Sequence, residues 1–187
     1  MAMSPGLRKV ALTTHVAASV GWLGSVAVFL VLAVVGLTGE DAQRVRGVYL
    51  ATEVTGWYVI VPLAFASLVT GLVQSLGTTW GLIRHYWVLA KLVLTVVATF
   101  LLLLHMQVAE QVADTAARTS LSGSDLSGMR VQLVVDAAAA VAVLLITTAL
   151  SVHKPRGLTR YGWRTQREQR AERAGGAAVD TATTARA

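Results

Sequence analysis

Apolar residues fall into four blocks along the chain, Val10 to Leu37, Gly56 to Leu76, Tyr86 to Val108 and Val131 to Val152, with polar segments between them. Each block reaches the roughly 20 residues that carry an α-helix across a hydrocarbon core. A soluble reading would need four long helices buried on every side with no polar shell, and is rejected. The pattern predicts an all-α fold: an integral membrane four-helix bundle, antiparallel, with both termini on the cytoplasmic side. Its helices are expected over about 10–37, 56–77, 85–109 and 130–153, in a transmembrane domain covering 1–155. Residues 156–187 are expected to form a basic, partly disordered cytoplasmic tail.

Composition agrees. Of 187 residues, 55% are hydrophobic and 14% charged, against about 25% charged in an average soluble domain. Arg8 and Lys9 precede the first block as in a secretory signal, but signal cores run roughly 7–15 residues and this one is about twice that, so it reads as a retained helix. The chain has no cysteine, which excludes disulfides, iron–sulfur clusters and thiolate metal sites.

Charge sets the expected orientation, because Lys and Arg collect on the cytoplasmic side of a membrane protein. With the N-terminus inside, the inner segments carry Arg8, Lys9, Arg84, Lys154, Arg156 and the tail arginines. The outer segments carry Arg44, Arg46, Arg118 and Arg130 beside six acidic residues. This places a multi-pass protein in the cell membrane. The first outer loop, TGEDAQRVRGVYLATEVTG, is mixed in character and is expected to hold a short surface helix; the second, ending SLSGSDLSGMR, reads as a flexible hairpin. Trp57, Tyr58, Trp80, Tyr86 and Trp87 sit near block ends, as interfacial aromatics do. In the tail, Arg160, Arg164 and Arg167 recur at helical spacing beside Trp163, which fits contact with anionic lipid as well as enforcement of orientation. The net charge of +6 is accounted for by topology, so nucleic acid is not an expected partner.

Ionisable groups inside spanning segments are expensive and need a partner or a task. Four qualify: His15, Lys91, His105 and Asp136. His15 lies roughly 7 Å into the first helix, with Ser19 and Trp22 on its face and Gly21 and Gly24 flanking the stripe, where a neighbour or a flat ligand can come close. Lys91 lies roughly 10 Å in from the same side, so an inner polar site follows if the first and third spans touch. His105 is fourteen residues beyond Lys91, about 21 Å along the axis, at the depth of Asp136; the two are expected to satisfy each other as a structural pair. His85 and His153 sit at block edges as interfacial residues and as secondary cofactor candidates. Each of the sharper readings has a plainer rival. His15 also fits a packed imidazole bonded to a neighbouring helix, and Lys91 a side chain snorkelling to headgroups.

Four stretches carry a resemblance. THVAASVGWLG in the first span, VPLAFASLVTGL in the second, HYWVLAKLVLTV in the third and SVHKPRG at the end of the fourth resemble the corresponding helices of the HemJ-type protoporphyrinogen oxidase and CopD-like four-helix superfamily, over roughly residues 10 to 156. The chain looks closest to an uncharacterised branch of that group. The resemblance implies a b-type haem in the bundle, with His15 matching the family's ligand histidine and Lys91 its essential lysine. A neutral imidazole is a standard haem ligand, and a partly desolvated lysine can bind a propionate or exchange a proton.

The leading expectation is therefore a haem-b-binding membrane redox protein. Its site would combine His15 as metal ligand, Ser19 and Trp22 beside it, and Lys91 as the working residue, with a homodimer or a membrane redox partner alongside. The alternatives are a tetrapyrrole oxidase, a copper or metal transporter, and a non-catalytic scaffold subunit. Transport is the weaker of these, because the chain lacks Cys and Met3, Met106 and Met129 lie near helix ends or in loops.

Overall fold

A computed structural model describes residues 4–77, 86–118 and 124–153, together with 159, 163, 164, 167 and 171. The basic tail expected over 156–187 lies largely outside the described residues, as do Trp80 and His85. Helix α1 covers Pro5–Thr38, α2 Ala42–Thr55, α3 Val61–Gly77, α4 Tyr86–Arg118 and α5 Ser124–His153. A single π-helical turn, Gly56–Ile60, joins α2 to α3 without a break. Among the described residues, four helical stretches are long and apolar enough to cross a membrane: Pro5–Thr38, Ala42–Leu76, Tyr86–Ala116 and Ser127–His153. The protein is an all-α, multi-pass membrane four-helix bundle.

Local chemistry explains the helix starts. Ser4 caps α1 by accepting from the Leu7 N–H at 3.4 Å, with Pro5 in the first turn where its missing N–H is harmless. Asp41 caps α2 by accepting from the Arg44 N–H at 2.8 Å. The π turn precedes Pro62, which lacks the N–H that an α-helix would aim at the Tyr58 carbonyl and whose ring crowds that carbonyl; a wider turn relieves both.

The two connections expected to be outer loops are mostly helix. The first polar segment is not a separate surface helix: α2 continues straight into the second span. Val45, Tyr49, Thr52 and Gly56 fall at helical spacing and are all buried, so this segment has a core face of its own. Likewise α4 runs nine residues past the expected 109, burying Val112, Ala113 and Ala116 while Glu110, Gln111 and Asp114 stay exposed. The hairpin read over SLSGSDLSGMR is shorter than expected, because α5 already begins at Ser124.

Helix α1 packs on α2, α3 and α5, and α4 packs on α2, α3 and α5. The spans therefore form a ring in which α1 and α4 are diagonal. Side-chain pairings fix their relative heights. From the end where α1 begins and α5 finishes (the terminal end) to the opposite, hairpin end, Ala11 meets Gln74, His15 meets Ser67, Gly21 meets Leu63, Phe29 meets His105, and Gly36 meets Tyr49. The core changes character along this axis. In the hairpin half it is apolar, built on Phe29, Ala33, Tyr49, Met106 and Leu133. In the terminal half the buried side chains include the hydroxyls of Ser67, Thr99 and Thr147.

Candidate functional site

The polar layer near the terminal end is assembled from all four spans. His15, on α1, sends its Nδ1 to the Ser67 carbonyl and to Thr70 Oγ1 on α3, each at 3.1 Å. A carbonyl only accepts, and the Thr70 hydroxyl already donates to the Ala66 carbonyl at 2.6 Å. Nδ1 must therefore carry the hydrogen, and a neutral His15 ring keeps its lone pair on Nε2, an atom with no protein partner among the described residues. The ring lies against Gly71: a Cβ there would come within 3.1 Å of His15 Cε1. One turn along, Ser19 and Ser67 share a hydroxyl bond of 2.8 Å. Trp22, expected beside the cofactor, is buried in the apolar core above this layer.

Lys91 faces the site from α4. Its ammonium donates to Ser151 Oγ on α5 at 2.6 Å, and Ser151 in turn donates to the Thr147 carbonyl at 2.9 Å. Phe29 on α1 meets His105 on α4, and His15 and Lys91 each lie fourteen residues from that contact toward the terminal end, so equal rise per residue puts them at one height. The two groups thus share one layer without α1 and α4 being neighbours in the ring. The first and third spans do touch, through Phe29 and His105 nearer the hairpin end, but they are not ring neighbours at the height of the layer. Each group is held by a different helix, His15 by α3 and Lys91 by α5.

The secondary candidates separate. His105 and Asp136 pair at 3.0 Å through Nδ1 and Oδ2 near the hairpin end, with the imidazole edge-on to Phe29 at 5.5 Å between ring centres. His105 Nε2 is buried without a hydrogen-bond partner. This pair is not part of the terminal-end layer. His153 is exposed at the end of α5 and bonds back to the Ala149 carbonyl at 3.0 Å. His85 lies outside the described residues. Among the described residues, no group of three or more His, Cys, Asp or Glu side chains comes together to hold a metal ion.

Sequence reasoning missed a second assembly at the hairpin end. Arg130 donates through Nε to the Tyr49 hydroxyl at 2.8 Å and through its terminal nitrogen to the carbonyls of Gly36 and Leu37, the latter at 3.1 Å. The guanidinium also lies 5.7 Å from the centre of the Tyr49 ring. This fork satisfies carbonyls left open at the end of α1 and ties α1, α2 and α5 together. Its role is structural. The signal in the sequence was a lone Arg at the head of an apolar block, which reads equally as an ordinary flanking charge. No protein-family model, no curated protein and no solved structure matches this chain.

Proposed function

We propose that this is a haem-b-binding membrane redox protein whose cofactor is held at the terminal end of the bundle. The observation that carries the reading is the state of His15. Its Nδ1–H is held by a backbone carbonyl and a hydroxyl, and its Nε2 lone pair is free. That is how metal-ligating histidines are oriented by their surroundings, with one nitrogen bonded to the protein and the other left for the metal. The donor chemistry fits haem iron, and the ammonium of Lys91 in the same layer fits a propionate carboxylate.

When bound, haem supplies one-electron chemistry. The chain's own contributions are positioning and charge. Ser67 and Thr70 set the tautomer and the plane of the His15 ring, while Gly71 leaves room for the ring to lie against α3. Lys91, steadied by Ser151, presents donors to an anionic edge or holds a proton beside the site. The same Lys91 favours, as a second reading, oxidation of a tetrapyrrole at this site.

The distribution of charge supports termini in the cytoplasm of a cell-membrane protein. Arg8 and Lys9 flank the terminal end, whereas Glu40, Asp41, Glu110 and Asp114 gather at the other. Basic tail residues then face anionic lipid, and a redox partner meets the protein from the membrane or the cytoplasm.

Protein purified in detergent from haem-sufficient cells should be red, with a Soret band that shifts on dithionite reduction. A colourless preparation that is folded by circular dichroism would falsify the haem reading.

A further inference from the structure

Among the described residues, the terminal half of the bundle contains cations and no acid. Residues 1–39, 54–109 and 137–167 include no Asp or Glu, and these stretches supply every residue of the polar layer. Lys91 therefore has no counter-ion among the described residues. Among the described residues its ammonium has one hydrogen-bond partner, the neutral hydroxyl of Ser151, and the His105–Asp136 ion pair lies toward the far end.

An ammonium half-withdrawn from water within apolar helices is unfavourable unless an anion accompanies it. A hydroxyl satisfies one of its three hydrogens and none of its charge. Since the described residues supply no anion at this end, a group from outside the bundle is the compensating one we consider. It cannot arrive along the axis from the hairpin end, because Trp22, Val26, Ile60, Ala64 and Leu144 fill the bundle above the layer. The approach from the terminal end is flanked by Arg8 and Lys9. The lipid-facing surface beside Lys91 is apolar, with Val93 and Val96 exposed, and this suits a ligand that is itself part hydrocarbon.

We infer that Lys91 is the seat of an oxyanion, carboxylate or phosphate, belonging to an amphiphile that enters from the terminal end. This goes beyond the haem reading, because it rests on Lys91 and applies to the haem-free protein.

The test uses the full chain, prepared without haem, in phosphatidylcholine nanodiscs. A spin-labelled stearate is titrated and its immobilised fraction read by electron paramagnetic resonance. Wild-type protein should bind it saturably, Lys91→Met at least about tenfold more weakly, and Lys91→Arg within about threefold of wild type. Gln132→Ala, exposed on α5 near the hairpin end, should bind as wild type does. Phosphatidylglycerol added to the discs distinguishes the sources. Displacement of the stearate shows that a lipid phosphate takes the same seat, and persistence of the stearate signal assigns the seat to carboxylates. His15→Ala, which removes the haem ligand, should keep the stearate site, so the two readings fail separately. Equal binding by wild type and Lys91→Met, with unchanged unfolding temperatures, overturns the inference, as does the absence of saturable binding.

Discussion

His15 Nδ1 lies 3.1 Å from the carbonyl oxygen of Ser67, a residue fifty-two positions away on α3. The bond fixes which nitrogen carries hydrogen, and Thr70 Oγ1 supports it from the next turn. Removing that support should loosen the imidazole without unfolding the helix. Thr70→Val keeps the shape and the Ser67 bond, so the expected result is roughly 10–100-fold weaker haem retention, the usual effect of losing an outer-shell partner. Haem transfer to excess apomyoglobin measures it, and an unchanged transfer rate would separate Thr70 from the site.

Glycines that look alike in the sequence should respond oppositely to alanine. At Gly36 a Cβ would lie 2.7 Å from Cζ of the buried Tyr49 ring, which is rigid and cannot yield. Gly36→Ala should destabilise by about 1–3 kcal/mol, the range for overpacking. At Gly24 nothing lies within 4 Å, so Gly24→Ala should be neutral or stabilise by up to about 1 kcal/mol through helix propensity. Thermal unfolding in one detergent compares them. Equal shifts for the two variants would mean that α1 and α2 do not pack as described.

Arg130 ties three helices at the hairpin end, and its geometry is a fork rather than a point charge. Arg130→Ala leaves the Gly36 and Leu37 carbonyls and the Tyr49 hydroxyl without their donor. We expect a loss of about 2–3 kcal/mol, as for hydrogen bonds to a charged group. Arg130→Lys should recover little of it, because an ammonium cannot reproduce the planar, divergent donors. Full rescue by lysine, read from unfolding temperatures, would show that only charge matters there.

The span count was legible in the sequence because a hydrocarbon core demands long, unbroken apolar blocks, and four are present. The depth of each polar group was legible too, since rise per residue is constant along a helix; this is why His105 and Asp136 could be matched. Rotation and neighbour order were not. The composition of α1 and α4 does not reveal that they stand diagonally, nor that His15 is held by Ser67 and Lys91 by Ser151. The hairpin-end extensions were missed for a different reason. Val45, Tyr49 and Thr52 repeat at helical spacing within a segment polar enough to read as loop, and the alanines at 109, 113 and 116 form a core too small to raise hydrophobicity. Glycine roles also needed coordinates: His15 lies against Gly71, whereas a Cβ added at Gly24 would meet nothing within 4 Å.

The two half-buried histidines give the most direct test, because among the described residues each has Nδ1 bonded and Nε2 without a protein partner, yet they stand in opposite halves of the bundle. The measurement is the haem-to-protein ratio of purified His15→Ala and His105→Ala, from the reduced pyridine haemochrome spectrum beside the wild type. The account predicts that His15→Ala loses the haem while His105→Ala, though less stable, keeps it near the wild-type ratio. Retention of haem by a folded His15→Ala variant, or its loss only with His105→Ala, would contradict the placement of the cofactor at the terminal end.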